Sequence, residues 1–208
     1  GRVFEQGDVP AGKGLTASIA GKEVGVQLDV KATYADGSVK HAILSVEVPQ
    51  IPPKGEVDVM LNRGAPMAGK ALGTDAVLAR GYDLDVSVKV QGGATVNVDV
   101  ADALRAAIAD GSLTTWMKGP LVSEFRVPVK FTDKLHGTVD IRVDADANIR
   151  SDVKIAYDGA YTVGMKNIVY DVAITDHGKT VFSKAGVNHN HHANWHQEIW
   201  SGKPADVQ

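Results

Sequence analysis

The chain has 208 residues, 44% of them hydrophobic and 23% charged, the balance of an ordinary globular protein, which excludes a disordered or coiled-coil polypeptide. Its formal net charge is -3 and no block of Lys and Arg occurs in it, so it lacks the clustered cations that nucleic acid phosphates demand. It contains no cysteine, which removes disulfides, thiol catalysis and Cys-ligated zinc.

No apolar run approaches the ~20 residues that span a bilayer, and the N-terminus lacks the charged-then-apolar layout of a signal peptide. A chain that opens GRVFEQG and stops at SGKPADVQ reads as a piece of a longer protein, whose targeting signals would lie elsewhere.

Strict alternation of apolar and polar residues dominates from the start, the signature of strands with one buried face. Val24, Val26, Leu28, Val30, Ala32 and Tyr34 form one series, with Glu23, Gln27, Asp29, Lys31 and Thr33 between them read as facing water. Ala42, Leu44, Val46 and Val48 follow the turn dipeptide Asp36-Gly37, so 23–48 is predicted to be a long hairpin. The stretch 62–80, rich in Gly, Ala and Pro, lacks either periodicity and reads as a linker. It divides a barrel-like unit over 1–65 from a larger antiparallel sandwich unit over 80–187.

Leu84, Val86, Val88 and Val90, then Ala94, Val96, Val98 and Val100, predict a second hairpin turning at Gly92-Gly93. Val100, Ala103, Leu104, Ala107 and Ile108 then recur at helical spacing, with Asp99 placed to cap the helix and Gly111 to end it. Further alternating runs cover 125–131, 139–143, 149–157 and 168–174, with turn chemistry at Asp158-Gly159 and His177-Gly178. The expected fold is all-β, an antiparallel barrel or sandwich of roughly ten or more strands with one short helix.

Four of the seven histidines, His189, His191, His192 and His196, fall within eight residues. Extended backbone puts His189 and His191 on one face, and a helical turn puts His192 and His196 together; either pair could chelate a divalent metal such as zinc. The competing reading packs them, hydrogen-bonded, beside Trp195 and Trp200. Apart from such a metal no cofactor is expected. Trp195 and Trp200 also offer flat indole faces to a sugar ring, against the alternative of a core or interface role. His41 is read as a solvent-facing contact residue rather than a catalytic one, and Trp116 as core packing. Asp83 with Asp85, and Asp144 with Asp146 and Asn148, read as solvated strand and turn residues ahead of a calcium loop. No G-x-S-x-G elbow, P-loop or dinucleotide fingerprint occurs.

The segments FEQGDVP at 4–10, VQLDV at 26–30 and YADGSVKHA at 34–42, with GPLVSEFRV at 119–127, resemble the N-terminal β-barrel (RIFT-type) module of exo-acting rhamnogalacturonan lyase-like proteins. The resemblance implies a β module placed before an α/α toroid that carries the chemistry, and similar modules in phage tail-associated proteins. It implies no catalytic residue in this chain. HHANWHQEIWSG at 191–202 looks like the junction to a following domain, so 188–208 is read as a His/Trp-rich junction.

The expected role is therefore a non-catalytic binding or structural module of a surface-acting protein, extracellular or on a virion. Its expected partners are cell-surface or extracellular polysaccharide, further copies of itself, or other tail proteins. The rival is a metal-dependent polysaccharide lyase or hydrolase, with His189, His191, His192 and His196 as ligands and Tyr161 or a nearby acid as base.

Overall fold

A computed structural model describes residues 1–157 and 164–201. The chain divides into two compact units: Gly1–Gly73 with Met117–Ser123, and Thr74–Trp116 with the residues from Glu124 onward.

The first unit begins with β1 (Arg2–Val3), β2 (Gly14–Ile19) and β3 (Lys22–Val24), followed by β4 (Val26–Thr33), β5 (Val39–Val46) and β6 (Val59–Gly64). They form two antiparallel sheets, β1-β5-β4 and β3-β2-β6. The turn from β4 to β5 closes where the sequence places it. Gly37 takes a positive φ of 79°, and the Asp36 carboxylate accepts from the Ser38 amide at 3.0 Å and its hydroxyl at 2.6 Å. The predicted hairpin over 23–48 is nevertheless interrupted. At Gly25 the amide turns to the Glu47 carboxylate, so Val24 ends β3 in one sheet and Val26 begins β4 in the other. Alternating residues of these strands bury Leu15, Ala17, Val26, Val39 and Ala42 around Phe4 and Val9. The 62–80 stretch carries the end of β6 at one side and a short helix, α1 (Thr74–Leu78), at the other.

The chain continues after α1 with β7 (Leu84–Val90), β8 (Thr95–Asp99), α2 (Val100–Asp110), β9 (Thr114–Lys118), β10 (Val122–Lys130), β11 (Leu135–Asp144) and β12 (Ile149–Tyr157), all in the second unit except the last two residues of β9 and the first two of β10. It ends with β13 (Ile168–Asp176), β14 (Lys179–His189) and β15 (Asn194–Ser201). Two sheets result, ordered β15-β12-β11-β10-β9 and β14-β13-β7-β8. The Asp99 carboxylate caps α2 by accepting from the Asp102 amide at 2.9 Å, Gly111 ends it at φ 76°, and Val100, Leu104 and Ala107 bury its apolar stripe. His177 and Gly178 both take positive φ, the two-residue turn that joins β13 to β14. The predicted turn at Asp158-Gly159 lies outside the described residues.

The all-β antiparallel class predicted from alternation is what forms. Among the described residues each sheet is open, ending on two edge strands, so a closed barrel is not the arrangement. The described helices number two rather than one, because α1 follows no apolar periodicity long enough to read.

Candidate functional site

β12 alternates strictly, burying Ile149, Ser151, Val153, Ile155 and Tyr157 and turning Arg150, Asp152 and Lys154 outward. Its two antiparallel neighbours place matching residues beside these on the same face. Arg142 and Trp200 flank Arg150, Asp140 and Glu198 flank Asp152, and Thr138 and His196 flank Lys154.

Like charges thus stand directly opposite one another in two of the rows, an arrangement that repels unless diagonal partners neutralise it. They do. Arg126 donates to both Asp140 oxygens at 2.7 and 2.9 Å, and Lys154 donates to Asp140 at 2.6 Å and approaches Asp152 at 3.2 Å. Arg142 donates to Glu124 at 2.7 Å, while Arg150 reaches Glu198 at 3.0 Å and Glu124 at 3.7 Å. His196 donates from Nδ1 to Asp152 at 3.2 Å. Four cations therefore meet four carboxylates, and this network carries no net charge when His196 is neutral. Arg150 Nε is buried without a hydrogen-bond partner among the described residues.

Glu124 and Asp140 are only 7% and 6% exposed, so their charges depend on these partners. Burial alone pushes the Asp140 carboxyl up, but the hydrogen bonds and positive charges of Arg126 and Lys154 outweigh it and hold it below the usual aspartate range. Burial likewise acts to lower Lys154, and Asp140 and Asp152 reverse that and raise it. For a depressed carboxyl the stabilisation is complete above its unfolded value of about 3.9 and is lost as pH falls through the lower folded value. We therefore expect melting temperature to drop in acid below about pH 4, and Asp140→Asn to flatten that limb of the profile while lowering stability at neutral pH. Melting curves recorded across that range check it, and an unchanged acid limb in the variant would contradict it.

The histidine cluster is divided by the fold. His189 ends β14 and is 3% exposed. Its Nε2 lies 2.8 Å from the Ala193 carbonyl, which can only accept, so Nε2 carries the proton and Nδ1 accepts from the Tyr170 hydroxyl at 2.9 Å. His191 and His192 sit in the turn before β15 with ring centroids 4.9 Å apart, and His196 stands on the outer face of β15. Residues 194–201 are strand, not helix, so His192 and His196 are not one helical turn apart. Among the described residues no group of three or more His, Asp or Glu side chains is placed to hold a metal ion. Tyr161 lies outside the described residues.

The two C-terminal tryptophans point to opposite faces of β15. Trp195 is partly buried against Phe182, ring centroids 5.8 Å apart, whereas Trp200 is 52% exposed on the charged face. Trp116, expected in the core, is 49% exposed on the edge strand β9. His41 is partly buried on β5 of the first unit, opposite Val3 and Ala32. Asp144 accepts from the Asn148 backbone and side-chain amides at 2.9 and 3.0 Å, closing the turn between β11 and β12.

The residues that sequence reasoning passed over are Glu124, Arg126, Asp140, Arg142, Arg150, Asp152 and Lys154. Their signal was present as period-two charge on successive strands. Compared with family models, with curated proteins and with solved structures, the chain matches none.

Proposed function

We propose that this protein is a non-catalytic binding module of a larger surface-acting protein, either a phage tail or baseplate component or an accessory domain of a polysaccharide-degrading enzyme. It contacts glycan through the outer face of the five-stranded sheet. The observation that carries this reading is Trp200, a half-exposed indole whose cross-strand neighbour Arg150 is fixed in place by Glu124 and Glu198. A flat apolar platform beside rigidly held donors and acceptors suits a sugar, which presents an apolar ring face and a rim of hydroxyls.

The electrostatics of the face favour recognition over proton transfer. Asp140 and Lys154 are each shifted further into their charged forms by their partners, whereas an acid or base working near neutral pH needs the opposite shift. In this reading the protein works outside the cell or on a virion.

Affinity electrophoresis through gels containing soluble polysaccharides tests the proposal. Retardation by at least one polysaccharide is expected, with Trp200→Ala weakening it about tenfold at unchanged melting temperature. A folded wild-type protein that migrates freely through every gel overturns it.

A further inference from the structure

We infer that the glycan is an uncharged chain lying across the strands of the five-stranded sheet and gripped at both edges, by Trp200 on β15 and by Trp116 on β9. The inference rests on the glycan reading above and goes further in naming the class, direction and minimum length of the ligand.

The direction follows from strand order. Trp200 stands opposite Arg150, and Arg150 opposite Arg142. Arg142 donates to Glu124 on the next strand, β10. Residues 119–121 alone connect β9 to β10, a link short enough only for antiparallel neighbours. Glu124, Arg142, Arg150 and Trp200 thus follow one another from β10 to the edge strand β15, and the opposite edge strand, β9, carries the other exposed indole, Trp116.

Four inter-strand spacings separate the two edge strands that carry these indoles, roughly 19 Å at about 4.8 Å per spacing. A single sugar ring cannot touch both; an oligosaccharide can. Along the strand direction no such pair exists on β15, because Trp200 is followed on the same face by Glu198 and His196.

The charge class follows from the pairing. The strong donors of Arg126, Arg142, Arg150 and Lys154 are directed at carboxylates within the face. An anionic polymer would have to compete with Asp140 and Glu198 for them, whereas hydroxyl groups can accept and donate at the margins of ion pairs without breaking them. Binding should therefore be nearly insensitive to salt.

Titration calorimetry with β-1,4-linked gluco-, xylo- and galacto-oligosaccharides from the disaccharide to the octasaccharide, beside oligogalacturonides of the same lengths, tests this. The expected result is a neutral series whose affinity climbs about tenfold or more with length and then levels off. Trp116→Ala and Trp200→Ala each remove about tenfold from the octasaccharide and little from the disaccharide, and Tyr at either position restores most of it. If folded Trp116→Ala binds the octasaccharide like wild type while Trp200→Ala does not, the two-edge grip is wrong and the glycan reading survives. Tighter binding of oligogalacturonides that weakens steeply with salt overturns the uncharged class. If folded wild-type protein retains no sugar in either series or in the gels, the glycan reading and this inference fall together.

Discussion

Replacing Gln27 with alanine is expected to destabilise the unit that contains it by about 3 kcal/mol, because the side chain holds a chain segment 95 residues away through buried hydrogen bonds. Gln27 is 4% exposed. Its Oε1 accepts from the Leu121 and Val122 amides, both at 3.0 Å, and its Nε2 donates to the Val122 carbonyl at 2.8 Å and to Asp29 at 2.7 Å. The alanine variant takes the Gln27 partner from two amides and a carbonyl of 121–122, and a buried group left unsatisfied costs about 1–3 kcal/mol, less whatever entering water recovers. Gln27→Glu keeps the acceptors but turns an anion toward Asp29 and the Val122 carbonyl, so it should not rescue. Urea denaturation gives the magnitude, and hydrogen exchange at Leu121 and Val122 gives the location. A loss below 1 kcal/mol with those amides still protected would show that the clamp is dispensable.

Gln27 also marks where the sequence stopped being readable. Alternation turned it toward water, and the structure buries it instead, because alternation carries no information on what covers the polar side of a strand. Here the cover is a segment about ninety residues further along the chain, which no local pattern announces. The elements that were legible are those whose determinants are local: α2 with Asp99 and Gly111 at its ends, the turns at Asp36-Gly37 and His177-Gly178, and the alternating cores of β7, β10, β11, β12 and β13. β14 escaped because it is an exposed edge strand with register shifts against β13, so its residues never settle into a two-residue rhythm. β15 escaped because its residues 194–201 place aromatic and apolar groups on both faces. The histidines invited a metal reading by their spacing, yet the strand–turn–strand path sends His189 inward and His196 outward. For the charged face the composition of each strand was visible, but the pairing of Arg126 with Asp140 or Arg142 with Glu124 depends on register between strands, which sequence periodicity leaves open.

That register is most exposed to a single methyl group at Gly137, and Gly137→Ala is expected to remove about 3 kcal/mol or more. Gly137 sits in β11 opposite Ile155 of β12. A Cβ there would overlap the Lys154 carbonyl oxygen and lie 2.8 Å from its carbon and 3.2 Å from the Ile155 Cα. These are backbone atoms, which no side-chain rotation can clear, so the strands themselves must part. Parting them strains the fully buried Leu135, Val139 and Ile155 on one face and, on the other, the Thr138–Lys154 and Asp140–Asp152 pairs that organise the charged rows. Gly92 provides the contrast: it has a positive φ of 75° and open space where a Cβ would go, so alanine there meets only backbone strain of roughly 1–2 kcal/mol. Urea denaturation of the two variants under matched conditions should therefore rank Gly137→Ala well below Gly92→Ala. The ordering matters beyond stability, because a shifted β11–β12 register would also displace Arg142 and Arg150 from the row that ends at Trp200. Should Gly137→Ala unfold within 1 kcal/mol of wild type, the close approach of these two strands would not be what fixes the face.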